Sequence, residues 1–356
     1  MNLVSEKIKS FRQKGLQSKL RLKEEQLESP SSFWIKKERL LHEIGKELTI
    51  ILRTKGCSWA TSESGGCSMC GYIKDSCLEG VRDNQIIKQF DYVIGNKIGE
   101  ISADPDHFIL KIFNSGSFFD DDEVSTNVRR NLYEKIANIK NIKEIVLESR
   151  SEYITDEKLL EIREFLDKKH IEIAIGLETV DDYIRDNYVN KGASFDDFKD
   201  SLKRCKQHGI GVKAYLLFKP PFLNEQAAID DCSLSLKELI NLKVNSISIN
   251  PMNIQKNTLV EYLWFQGRYK TPWYYSLFKC LKRSLNQSDL NDVRILCDPS
   301  GAGTKRGIHN CLKRECEQSA RKVLNKFVLN QRLEELEENL YECECKKKYQ
   351  LQKKYF

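Results

Sequence analysis

The chain has 356 residues, 40% of them hydrophobic and 31% charged, and its 58 Lys and Arg exceed its 52 Asp and Glu for a net charge of +6. Such a composition excludes a disordered or fibrous polypeptide. No apolar run approaches the roughly 20 residues that a membrane helix needs, charges occupy the start where a secretion signal would have its apolar core, and Glu6, Glu24, Glu25 and Glu28 disfavour a mitochondrial leader, so a cytoplasmic protein without a membrane partner is expected.

Positions 1–45 are expected to form a basic helical extension with a break near Glu28-Ser29-Pro30-Ser31-Ser32. Residues 1–55 hold 13 Lys and Arg against 7 Glu, an excess equal to that of the whole chain. Six short apolar or β-branched runs then read as buried strands, at 47–54, 107–115, 142–149, 171–178, 211–218 and 244–252. Helical spacing fills the intervals at about 83–99, 123–138, 156–168, 195–208 and 226–241, with Thr155-Asp156 and Ser194 placed as caps. Six strand–helix repeats predict a parallel sheet with helical crossovers. Polar residues close five of the strands: Asn114 and Ser115, Glu148 with Ser149 and Arg150, Glu178, Lys219, and Asn250. Ligands bind at that edge of parallel α/β folds, so the expected fold is α/β, a partial (β/α)6 barrel over 46–290 with one site at its mouth. An amphipathic helix is expected at 272–286, inside that core. A small Cys-rich module follows over 291–356, with a Gly-rich turn from Asp298, then cysteines, and a helix near 318–340.

Twelve cysteines are many for an intracellular chain, and their spacing decides their meaning. A disulfide scaffold would be short and loop-rich, so metal binding is the better account. Directly after the first of these strands, RTKGCSWATSESGGCSMCGY places Cys57, nine residues, Cys67, two residues, and Cys70 on a loop with glycines at 56, 65, 66 and 71. Three thiolates there can hold three corners of a cubic iron–sulfur cluster and leave the fourth iron open to a small molecule. Glycine lets such a loop wrap the cluster. A zinc site with Cys77 as fourth ligand is the alternative. Farther on, Cys311, Cys316, Cys343 and Cys345 suit a tetrahedral Zn2+ site that pins the small module, with a second iron–sulfur cluster or free thiols as rivals. Cys205, Cys232 and Cys280 lie in helical patterns and read as packed thiols.

A three-cysteine loop after the first strand of a six-fold βα chain resembles the radical S-adenosylmethionine enzymes, and its long first gap resembles the subset near the Elongator catalytic subunit. The ordered segments LRTKGCSWATSESGGCSMCGY, KIFNSGSFFD, VLESRSEYI, IAIGLET, KAYLLFKPPF and GAGTKRGIHNC, spread over about 48–345, resemble the family of archaeosine synthase radical subunits. The resemblance implies a [4Fe-4S] cluster on Cys57, Cys67 and Cys70, and S-adenosyl-L-methionine chelating the open iron through its amino and carboxylate groups. It also implies roles. Met69 stands where the family has an aromatic against the adenine. Asn114-Ser115-Gly116-Ser117 replaces a Gly-Gly-Glu-like turn that holds the methionine amino group. Glu148 and Arg150 suit the methionine carboxylate, the ribose or the amine. Glu178 suits ribose hydroxyls or substrate and is grouped with the cysteines as catalytic, while Lys213 and Lys219 suit a carboxylate. Plainer readings stand beside these: an ion pair for Glu148 with Arg150, an outward Lys213, an orienting Glu178, and a simple turn at Asn114 and Ser115.

Basic clusters at Lys305, Arg306, Lys313, Arg314, Arg321, Lys322 and 346–348 suit a phosphate backbone, or else a solvated helix face. With the resemblance, the implied substrate is tRNA bearing a deazaguanine whose nitrile a lysine-transferring partner enzyme has joined to lysine, and an electron donor is required. Hydrogen removal beside the amidine nitrogen and C–N cleavage would leave the formamidine of archaeosine in the D-loop, with the target base out of its stack. Glu178, Lys219 and Arg306 are the expected readers of the lysyl amine and carboxylate. The rivals are a radical enzyme acting on wobble uridine and a non-enzymatic RNA-binding scaffold with two zinc sites.

Overall fold

The computed structural model describes residues 3–17, 22–337 and 340–355. Its centre is one eight-stranded sheet whose spatial order follows the chain. The strands are β1 (Ser32–Arg39), β2 (Ile44–Leu52), β3 (Phe108–Asn114), β4 (Ile142–Glu148), β5 (His170–Glu178), β6 (Gly211–Phe218), β7 (Ser246–Pro251) and β8 (Arg294–Leu296). β1 runs antiparallel to β2, and every later pair is parallel. The longer helices are α1 (Leu3–Gln17), α2 (Asp83–Ala103), α3 (Thr126–Ala137), α4 (Asp156–Phe165), α5 (Phe195–Gln207), α6 (Glu225–Asn241), α7 (Leu259–Phe265), α8 (Tyr274–Ser284), α9 (Arg314–Asn330) and α10 (Cys345–Gln352).

All six expected strands are present, because their predominantly aliphatic runs suit strands covered on both faces, with isolated charges such as Lys111, Glu172 and Lys213 inside them. Two more strands join them. Residues 32–39, expected as part of a helical extension, form β1 instead; a turn in which Leu40 N–H donates to Glu43 O at 2.8 Å folds this segment back on β2. β8 carries the sheet past position 290 and is too short at three residues to show any periodicity. The helices fall where expected, with local differences. Ser194 caps α5, with Asp197 returning the bond, whereas Thr155 occupies the cap position of α4 without a side-chain bond. The helix expected near 318–340 begins at Arg314 and ends before Gln331, whose φ is 53°. The Gln331 amide bonds both the N–H and the carbonyl of Ile295 at 2.8 Å, tying α9 to β8.

The sheet curls until its ends approach. Arg294 on β8 donates to Arg39 O on β1 at 3.2 Å, and Lys36 on β1 pairs with Asp298. The result is an α/β half-barrel. Its outward side chains, including Leu48, Ile112, Leu147, Ile173, Leu216 and Ile249, share one core with the surrounding helices, and burial of each contributes roughly 1.5–3 kcal/mol. The inward side chains include a charged network. Lys111 pairs with Glu38 at 2.6 Å and with Glu47; Arg294 pairs with Glu144 at 2.7 Å and Glu172 at 2.8 Å. All six groups are buried, so each cation is held by two carboxylates inside the lumen.

Candidate active site and metal centre

The loop that leaves β2 carries Cys57, Cys67 and Cys70, and elements far apart in sequence hold it. Cys57 N–H donates to Ser115 O at the end of β3 (3.0 Å), and Cys77 N–H returns to Thr54 O (2.7 Å). Ser68 N–H donates to Val189 O (2.8 Å), Trp59 Nε1 to Asn190 O (2.8 Å), and Gly71 N–H to Gln255 Oε1 (2.6 Å). From α1, the buried Arg12 donates to Gly65 O at 3.0 Å and Cys70 O at 2.7 Å. Gly65 is required here twice over. Its φ is +76°, and a Cβ would stand 2.7 Å from the Lys9 backbone. The Cys67 thiol is pushed up to about 12 by burial, against the pull of Lys191 and with Cys70, Glu178 and Cys57 adding to the rise. Burial raises the Cys70 thiol as well, and thiols so costly to ionise are what a cationic iron centre compensates. The donor set therefore fits a cluster held at three corners.

At the end of β3, Asn114 and Ser115 form the wall next to this loop. Asn114 Nδ2 donates to Glu123 Oε2 at 2.8 Å; Glu123 also accepts from Ser117 N–H and Thr54 Oγ1, each at 2.8 Å. Asn114 Oδ1 is buried with no partner among the described residues. An orphaned acceptor beside the cysteine loop suits an ammonium group, so the turn also fits the amino group of a methionyl cofactor. Glu178 has φ +70° where the β5–β6 register shifts, and pairs with Lys191 at 2.9 Å. Burial alone would lower Lys191, but Glu178 and Cys67 outweigh it and hold it charged. Glu148 is half-buried, and burial raises it to about 7 against the pull of Lys213 and Lys191. Lys213 faces inward and is brought down to about 7 by burial and then by Lys111.

Other expected residues are engaged elsewhere. Arg150 donates to Lys191 O (3.1 Å) and Gly192 O (3.2 Å), pairs with Glu152 rather than Glu148, and lies 5.4 Å from the Trp59 ring, so it braces the 190–192 loop. Lys219 is buried against Glu225. Arg306 pairs with Glu261 at 2.6 Å and stacks on Trp264 at 4.9 Å. Met69 is only partly buried against the apolar cluster of Ile8, Met252 and Ile254, so part of its side chain stays open on the cysteine loop. Arg12, Glu123, Asn190, Lys191 and Gln255 escape sequence reading, since a polar residue remote in sequence from the motif gives no periodic or spacing signal.

The second cysteine set converges. The donor atoms of Cys311, Cys316, Cys343 and Cys345 all lie within 4.8 Å of one another. Cys311 and Cys343 are 3.7 Å apart, and Cys316 and Cys345 are 3.8 Å apart. Four sulfurs around one zinc at Zn–S about 2.3 Å stand about 3.8 Å apart, the edge of a tetrahedron. Thiolates of a cubic cluster bind separate irons and spread wider. Buried Glu317 holds the intervening turn by accepting from the N–H groups of Asn310, Cys311 and Leu312 at 2.8, 2.9 and 3.0 Å. Cys205, Cys232, Cys280 and Cys297 are buried in the main core. Beside the module, a groove between α8 and α10 is lined by Lys279, Lys282, Arg283 and Lys346, and another along α9 by Arg321, Lys322 and Lys326.

The radical SAM superfamily model matches residues 53–233. An uncharacterized protein of Methanocaldococcus jannaschii is 39% identical over 303 residues, covering 85% of this chain and 80% of its own. The archaeosine synthase subunit beta of Methanosarcina acetivorans is 33% identical over 333 residues, covering 93% and 92% of the two chains. That of Thermococcus kodakarensis is 35% identical over 318 residues, covering 89% and 95%.

Proposed function

Because this chain belongs to the radical SAM superfamily, within the family of archaeosine synthase beta subunits, we propose that it modifies tRNA, cleaving the lysine C–N bond of a lysyl-amidine deazaguanine adduct to leave the formamidine of archaeosine. The carrying observation is the three-cysteine loop, fixed at the mouth of the half-barrel beside the end of β3. Cys57, Cys67 and Cys70 hold a [4Fe-4S] cluster. When bound, the cluster and S-adenosyl-L-methionine would supply hydrogen abstraction at the lysyl carbon beside the amidine nitrogen; with the remaining unpaired electron passed to the oxidised cluster, water at that carbon would release the formamidine and carry the lysyl fragment off as an aldehyde.

The chain's own groups orient and shield. Asn114 Oδ1 and the Ser115 turn receive the methionine amino group, and Glu178, set by Lys191, reaches ribose hydroxyls. Met69 lines the adenine side. Arg150 and Lys219 act through the loops they brace rather than by touching ligand. The basic grooves at α8–α10 and α9 take the phosphate backbone, and the C-terminal thiols hold zinc at the edge length described above. A lysine-transferring enzyme supplies the adduct, and an electron donor reduces the cluster.

The test is anaerobic reconstitution followed by mass spectrometry of nucleosides from adducted tRNA. Conversion by the brown wild-type protein, and its loss in a folded Cys67→Ala variant, are expected. A colourless protein holding two zinc ions would sink the reading.

A further inference from the structure

Alternation along β6 turns Val212, Ala214, Leu216 and Phe218 outward into the main core. Lys213 and Tyr215 face the lumen, where Tyr215 meets Val146, Ala174 and Phe113. Glu148 lies two residues beyond inward-facing Val146 on β4. The register aligns Glu148 with Ala174 on β5, and Ala174 with Lys213 on β6. An acid and a base thus stand in one row, separated by a strand that offers only a methyl group. Two strand spacings put their backbones about 10 Å apart, with both side chains on the lumen face.

The lumen's other cations are engaged: Lys111 and Arg294 each hold two carboxylates. Lys213 is 3% exposed and has no hydrogen bond or ion pair to any described residue; its ammonium lies 5.3 Å from the centre of the Tyr215 ring. A buried ammonium without an anion is costly, as is a desolvated Glu148 carboxylate with no cation in contact. Burial moves both groups toward neutrality, and a zwitterion would restore both charges. Glu148 is the last residue of β4, so the row meets the mouth at its acid end, and Lys213, five residues before the end of β6, is its deeper end.

The geometry points to a headgroup receptor: Lys213 binds the α-carboxylate, and Glu148 with the Tyr215 hydroxyl binds the α-ammonium group, of an amino acid carried by the substrate. This rests on the proposed function, in which the amino acid is the lysyl arm of the adduct. It replaces Lys219 and Arg306, whose charges are already held by Glu225 and Glu261.

The reconstituted protein can be titrated with tRNA carrying the lysyl adduct, its decarboxylated counterpart built from 1,5-diaminopentane, its N-acetylated form, or no adduct. A charged hydrogen bond of roughly 1.5–3 kcal/mol predicts that the wild type prefers the lysyl adduct to the decarboxylated one by about tenfold or more. In Lys213→Met that preference disappears while plain tRNA binds as before. In Glu148→Gln the preference over the N-acetylated form disappears instead, and this variant decides the matter if Lys213→Met does not fold. Equal wild-type affinity for lysyl and decarboxylated adducts, or a preference surviving both substitutions, overturns the receptor. Equal wild-type affinity for all adducts and plain tRNA overturns the proposed function itself.

Discussion

The guanidinium of Arg12 donates to the carbonyl of Cys70 at 2.7 Å across 58 positions of sequence, so the first helix holds the backbone of the last cysteine in the three-cysteine loop. The basic amino-terminal segment therefore builds the site besides adding charge. Arg12→Ala leaves the carbonyls of Gly65 and Cys70 without this donor, a loss of about 3 kcal/mol in loop stability. Less iron per chain and faster bleaching of the visible absorption under chelator are expected. Arg12→Lys falls between, since one ammonium cannot reproduce the forked geometry. Iron retention equal to wild type in Arg12→Ala would remove α1 from the site.

Glu123 organises the turn proposed to receive the methionine amino group. Glu123→Ala strips the acceptor from Thr54, Asn114 and Ser117 together. Weaker S-adenosylmethionine binding is expected, by about tenfold for the roughly 1.4 kcal/mol of a loosened turn, with tRNA affinity unchanged. Isothermal titration with each ligand separates the two. A parallel loss of tRNA binding would point to general unfolding instead.

Arg294 governs how stability responds to pH. Burial alone pushes Glu172 up, but Arg294 and then His170 and Ser246 outweigh it and hold the carboxyl well below its ordinary value. A depressed carboxylate contributes stability above its unfolded pKa, near 4.5, and loses it as pH falls through the folded one. Arg294→Met removes the cation and lets burial raise Glu172. The variant should be less stable by about 3–5 kcal/mol at pH 7, and the gap should narrow toward pH 5 as the carboxyl takes up a proton. Urea midpoints across that range give the answer; a gap independent of pH would deny the pairing its electrostatic role.

The C-terminal thiols make the last test. Cys316→Ser should lose one zinc per chain, measured by elemental analysis, and lower the thermal midpoint by several degrees. The iron content and visible spectrum should persist. Iron falling together with the fourth thiol would mean that the module holds a second cluster.

The strand positions were legible because strands buried on both faces are predominantly aliphatic even where one inward charge interrupts them, and such runs stand out from charged helices. β1 was not, because Ser32–Arg39 is an edge strand with Trp34, two lysines, Glu38 and Arg39, a composition equally compatible with an exposed helix. Local chemistry also carried over at Ser194, where cap and return bond lie within four residues. It failed at Lys219, whose strand-end place suggested a ligand until Glu225, one turn away, took its charge.

Covalent order alone determined the three-cysteine loop and its glycines, since its cysteines lie within 14 residues of chain, whereas the two C-terminal cysteine pairs lie at the start of α9 and beyond its end, and only the fold brings them together. Tertiary structure alone decided which polar groups remain for a ligand. Whether Lys213, Lys219 or Arg306 is available depends on which carboxylate the folded chain brings within ion-pair distance. That competition is set by the curl of the sheet across more than 200 residues, as in the reach of β8 back to β1.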